Sequence, residues 1–125
     1  MIRLDDIVEK ITPYMTSKDI EEVKKAYAYS AKVHAGQKRY SGEPYMIHPM
    51  EVTSILADIK LDKESIITGL LHDTIEDTLA TDKDIKSLFG KDVFNLVNGV
   101  TKIGQIKISS KFERQAENFR KLILA

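Results

Sequence analysis

The sequence predicts an all-α domain of about six to seven short helices. Apolar residues recur at helical spacing along most of the chain, and no stretch alternates apolar with polar as a half-buried strand does. Twice, moreover, a threonine stands three residues ahead of an aspartate just before such a periodic run, at Thr16/Asp19 and at Thr81/Asp84. In that spacing each side chain can satisfy a backbone N–H that the first helical turn leaves without a partner.

The elements follow in order. Leu4, Ile7, Val8 and Ile11 make a short apolar stripe that ends at Pro13. After Thr16 comes a helix carrying Ile20, Val23, Tyr27 and Ala31, with Gly36 as its expected stop. Residues 36–48, GQKRYSGEPYMIH, break the periodicity with two glycines and Pro44, which marks a loop of the kind that carries function. Pro49 suits the first turn of a third helix, with Val52, Ile55, Leu56 and Ile59 on its apolar side. Asp62 can cap a fourth, which holds Ile66, Ile67, Leu70, Leu71 and Ile75. Ile85, Leu88 and Phe89 follow Thr81, with Gly90 as terminator, and a sixth helix runs around Val93, Leu96, Val97 and Val100. Ser110 and Glu113 open a last one with Phe112, Ala116, Phe119, Leu122 and Ile123. It reaches Ala125 with its stripe intact and no Gly, Asn or Pro to end it, so the bundle is expected to be incomplete. The unpartnered face of 112–123 could drive a homo-oligomer.

Bulk properties narrow the class. With 125 residues the chain supports one domain, 1–125, around one modest core. Lys+Arg and Asp+Glu both number 19, so no global field draws nucleic acid or an anionic membrane, and an anion site must be built locally. The absence of cysteine excludes disulfides and thiolate metal sites. The opening MIRLDDIVEK is charged, and stretches such as IITGLL are too short to cross a bilayer. A cytoplasmic protein without membrane or direct nucleic-acid partners is expected.

Three groups of residues could carry chemistry. In GLLHDTIEDT, His72 and Asp73 are adjacent, and Glu76 and Asp77 each follow one of them by four residues. On a helix this places three carboxylates and an imidazole on one polar patch, able to grip a divalent ion or merely to face solvent. His48 stands where the irregular loop meets the third helix. It can serve as a helix cap or as a second imidazole for the same ion, and spacing alone leaves the two readings even. Two imidazoles and a carboxylate suit Mn²⁺, Fe²⁺ or Zn²⁺. Lys38, Arg39, Tyr40 and Ser41 lie in the loop among glycines, as an ordinary surface loop or as a local anion site. His34, in VHAG, reads as structural, and Met15, Met46, Met50, Tyr27 and Tyr29 as packing.

The order HAGQKRYSGEPYMIHP, GLLHDTIEDT, FGKDVFNLVNGVTKIG closely resembles the HD-type hydrolase domain of the RelA/SpoT (Rel/Spo) family, from about Ala26 to Ala125. The resemblance implies an HD-domain helical bundle that hydrolyses (p)ppGpp to GDP or GTP and pyrophosphate, with Mn²⁺ activating the attacking water. It makes His48, His72 and Asp73 metal ligands, and assigns Glu76 and Asp77 to activating or positioning that water. Arg39 and Ser41 match loop positions that hold the guanosine nucleotide, with Lys38 and Tyr40 beside them. Tyr40 departs from the small or basic residue common there. The family's last metal ligand, an Asp on a later helix, has no counterpart in this sequence, so the isolated chain is expected to hydrolyse poorly or not at all. An HD phosphohydrolase of another nucleotide, or a non-catalytic binding domain, are the alternatives.

Overall fold

The computed structural model describes residues 2–35, 46–74, 78–105 and 123. Among them are six helices and no strand: α1 (Leu4–Ile11), α2 (Ser17–Val33), α3 (Ile47–Asp58), α4 (Lys63–Leu71), α5 (Asp82–Phe89) and α6 (Lys91–Gln105). The helix expected after Ser110, and Gly36 as a helix stop, fall outside the described residues.

Local chemistry sets the helix ends much as the sequence predicts. Thr16 Oγ1 accepts from the Asp19 N–H at 3.1 Å, and Asp19 accepts in turn from the Thr16 N–H at 3.4 Å. Thr81 and Asp84 exchange the same pair at 3.2 and 3.1 Å. Gly90 ends α5 at a positive φ of 93°, where a side chain would be strained, and α6 starts on the next residue. Asp62 is the N-cap of α4, although its carboxylate accepts from the Ser65 hydroxyl rather than from a backbone N–H.

α4 organises the packing. Ile66, Ile67, Leu70 and Leu71 are all at most 1% exposed, and Thr68 and Gly69 are buried between them. A helix apolar on every side must be covered on every side. α2, α3 and α6 supply the cover, with α1 against α2 and α3, and α5 against α6. Each fully buried Ile or Leu contributes roughly 1.5–3 kcal/mol, which makes this the strongest organising element of a small core. Polar ties fix the surrounding helices. Lys10 Nζ donates to Ser54 Oγ at 2.7 Å and pairs with Asp58 at 2.8 Å, joining α1 to α3. Lys63 reaches Glu22 at 2.8 Å, joining α4 to α2, and the bond to Glu22 raises the pKa of its ammonium. Tyr29 packs edge-on to Phe89 with ring centroids 5.6 Å apart, a packing role the sequence anticipates.

α3 departs from expectation. Ile55 and Ile59 are 56% and 62% exposed, and the buried side is His48, Met50, Thr53, Ser54 and Ala57. Half of the expected stripe keeps its place, with Leu56 packed against the core and Val52 half-buried, while Ile55 and Ile59 do not face inward. Thr53, Ser54 and Ala57 point inward beside Met50, on the side where α1 and α4 pack.

α3 closes through a Schellman motif. Leu61 N–H donates to the Leu56 carbonyl at 3.2 Å and Lys60 N–H to the Ala57 carbonyl at 3.0 Å, with Lys60 at φ 57°. That conformation strains any residue with a Cβ. Lys60→Gly is therefore expected to stabilise the protein by roughly 0.5–1 kcal/mol, read from urea denaturation of both proteins. A fall in midpoint would contradict the strain.

Candidate metal centre

Two helix ends bring the candidate ligands together. His48 is the second residue of α3, so its side chain leaves the first turn toward the interior, and Pro49 behind it needs no backbone partner. On the other side α4 ends at Leu71, so His72 is its C-cap and Asp73 follows in the turn, rather than both lying along the helix. His48 and His72 are each 3% exposed and Asp73 7%. The rings meet edge to face with centroids 5.1 Å apart. His48 Nε2 lies 3.1 Å from His72 Nε2 and 4.0 Å from Asp73 Oδ2, and His72 Nε2 lies 3.2 Å from Asp73 Oδ1.

The 3.1 and 3.2 Å separations suit neighbouring ligands of one cation, and the 4.0 Å one calls for a wider angle. Ligand atoms about 2.1 Å from a common ion stand about 3.0 Å apart at right angles and about 3.4 Å apart at tetrahedral angles. All three residues offer an atom within 4.8 Å of the others, and all three are buried. The partial negative charge at the C-terminus of α4 also favours a cation there.

The hydrogen bonds orient the donors for that purpose. His72 Nδ1 lies 2.8 Å from the Gly69 carbonyl. A carbonyl can only accept, so Nδ1 carries the proton and the neutral ring turns its Nε2 lone pair inward. The Ile123 carbonyl oxygen enters the same space, 2.5 Å from His48 Nε2 and 3.1 Å from His72 Nε2. With both rings neutral, the His48 Nε2–H is shared between that oxygen and the His72 lone pair. Binding an ion through the same nitrogen would move the proton to His48 Nδ1. Neither main-chain carbonyl could be foreseen, since a backbone oxygen leaves no residue-type signature in a sequence.

Beside His72 opens a cavity of about 230 Å³, mostly apolar, lined by Val52, Leu56, Thr68, Leu96, Val100 and Ile123 among others. Thr74, fully buried, donates to the Leu71 carbonyl at 2.8 Å and finishes the end of α4. His34 is the buried C-cap of α2, a structural place at the end of a helix. Lys38, Arg39, Tyr40, Ser41, Glu76 and Asp77 lie outside the described residues.

The HD domain family model matches residues 26–125. Over 97% of its length the chain is 56% identical to a GTP pyrophosphokinase of Myxococcus xanthus, of which it spans 17%. Over its whole length it is 46% identical to the bifunctional (p)ppGpp synthase/hydrolase SpoT of Escherichia coli (strain K12), of which it spans 18%. The chain thus spans under a fifth of the length of these curated relatives. The solved structure of a metazoan ortholog of SpoT that hydrolyzes ppGpp aligns with a TM-score of 0.65 at 30% identity, covering 89% of this chain and 66% of that one.

An ion that binds only the folded chain must stabilise it. At a Mn²⁺ concentration about 100 times its Kd the gain is about 2.7 kcal/mol, a rise in melting temperature on the order of 10 °C, reversed by EDTA. His48→Ala and His72→Ala are each expected to abolish that rise. An equal Mn²⁺-dependent rise in both variants would exclude the imidazoles as ligands.

Proposed function

The chain belongs to the HD domain family, and from that premise we propose that it carries the hydrolase function of a RelA/SpoT-type protein, removing the 3′-pyrophosphate of (p)ppGpp. The observation that carries the proposal is the convergence of His48, His72 and Asp73 within 4.8 Å of one another in the interior. The relatives support the substrate: the Escherichia coli (strain K12) relative carries (p)ppGpp hydrolysis in its name, and the metazoan structural neighbour hydrolyzes ppGpp.

In this reading His48, His72 and Asp73 hold a divalent ion, for which Mn²⁺ is the candidate. When bound, such an ion supplies an activated water near neutral pH and offsets charge on phosphate oxygens. The chain's own residues do the rest. His72, fixed by the Gly69 carbonyl, presents a lone pair at a set angle. Asp73 contributes negative charge where two neutral rings supply none. Glu76 and Asp77 accept or relay the proton of the attacking water. Arg39, Ser41, Lys38 and Tyr40 hold the guanosine nucleotide, the basic pair pairing with its phosphates. A bond forms between the water oxygen and phosphorus, and the bond from phosphorus to the 3′ oxygen breaks. Pyrophosphate leaves, with GDP or GTP as the other product. Such a substrate belongs to the cytoplasm. None of the described helices is long and apolar enough to cross a membrane.

The chain spans under a fifth of the length of these relatives, so turnover is best tested in a complete enzyme. The chain would replace the matching segment of Escherichia coli SpoT, to which it is 46% identical. The chimaera is expected to release pyrophosphate from ppGpp with Mn²⁺ present. His72→Ala should abolish release, and Glu76→Gln should lower it by about 100-fold or more. A folded chimaera that binds Mn²⁺ yet leaves ppGpp intact would sink the reading.

A further inference from the structure

Gly69 is an odd residue for the middle of the most buried helix, where alanine forms helix better and fills more space. The surroundings explain it. A Cβ at Gly69 would lie 2.8 Å from Thr53 Oγ1, 2.9 Å from Leu56 Cδ1 and 3.4 Å from Thr53 Cα. The tip of Leu56 lines the cavity beside His72 and can swing into it. Thr53 has no such freedom: it is 0% exposed, branched at Cβ, and its own backbone comes next. At this crossing α3 meets α4 with nothing but hydrogen on the Gly69 side.

Thr53 carries a matching anomaly. Its hydroxyl is buried and finds no hydrogen-bond partner among the described residues. Valine would avoid that penalty, but a methyl group is wider than an oxygen by a few tenths of an ångström. Threonine keeps the gap small at the cost of an unsatisfied group.

This contact sits beside the candidate metal centre. His48 precedes Thr53 by five residues on α3, and His72, the C-cap of α4, follows Gly69 by three. At 1.5 Å of rise per residue these are about 7.5 and 4.5 Å along stiff helices. Widening the crossing therefore widens the 3.1 Å gap between the two Nε2 atoms. A cation site tolerates only about 0.2 Å in its ligand distances. The Gly69 carbonyl meanwhile fixes the His72 ring through Nδ1.

We infer that Gly69 is a positioning residue for the cation site, its missing side chain against Thr53 setting the His48–His72 gap and its carbonyl setting the His72 ring. The inference rests on the reading of His48, His72 and Asp73 as ligands.

The test measures Mn²⁺ dissociation constants, from the free-Mn²⁺ electron paramagnetic resonance signal, beside the melting temperature of the metal-free protein. Gly69→Ala is expected to weaken Mn²⁺ binding by about tenfold or more. Combining it with Thr53→Ala, which clears the clash, should restore binding to within about threefold of the parent. Thr53→Val separates positioning from plain stability: the metal-free protein should melt no lower, because the unpaired hydroxyl is gone, while Mn²⁺ binding weakens several-fold. A glycine needed only for folding would lower the melting temperature and leave affinity well below it unchanged. Wild-type affinity in a folded Gly69→Ala protein overturns the inference; should that variant not fold, wild-type affinity in Thr53→Val does so. A parent chain that binds no Mn²⁺ overturns the cation site itself, and this inference with it.

Discussion

Burial of α4 beyond its first turn is the constraint from which the rest of the arrangement follows. Nine residues, KESIITGLL, offer solvent almost nothing past the first turn, so the helix must run through the middle of the domain. α2, α3 and α6 enclose it, and its last turn emerges inside the protein instead of at the surface. His72 and Asp73 are buried because they follow that turn. A surface helix with the same HD pair would leave both in water. Ion and proton binding would then be governed by bulk solvent rather than by neighbouring groups.

Burial makes the site chemically demanding. Two imidazoles and a carboxylate, all below 10% exposed, have given up most of their hydration. Placing such groups together without compensation costs several kcal/mol. Part of the compensation is visible: Gly69 accepts the His72 Nδ1–H, and His48 Nε2–H has two acceptors within 3.1 Å. A divalent cation would compensate far more fully, because it turns converging lone pairs from a repulsive arrangement into a ligand set. The apolar walls around the site then strengthen each of these interactions.

Much of this was legible in the residues themselves, and the part that was not has a physical reason. Helix boundaries at Thr16 and Thr81 are written in side chains that bond their own backbone, and the one at Gly90 in the lack of a side chain at a positive φ, short-range effects that any sequence displays. Ile66, Ile67, Leu70 and Leu71 marked a helix with an apolar face through their spacing, and all four are buried. The meeting of His48 with His72 was not legible from spacing, because 24 residues and a helix crossing separate them. Only the resemblance to a known family predicted it. The Gly69 and Ile123 carbonyls were invisible because every residue has one.

α3 shows why the failures of pattern reading gather around the site. Judged by periodicity, Val52, Ile55, Leu56 and Ile59 should face inward, yet Ile55 and Ile59 stand in solvent while Thr53 and Ser54 are buried. A helix that exposes two isoleucines gains less from the hydrophobic effect than its composition allows. Exposing Ile55 and Ile59 forgoes roughly 1.5–3 kcal/mol per side chain relative to full burial. What this arrangement secures is proximity. Small residues at Thr53, Ser54 and Ala57 let α3 come close to α4, and an imidazole at its start reaches the imidazole beyond the other helix's end. Local rules are broken where a site is favoured over a core, and α3 is broken along the face that leads to His48.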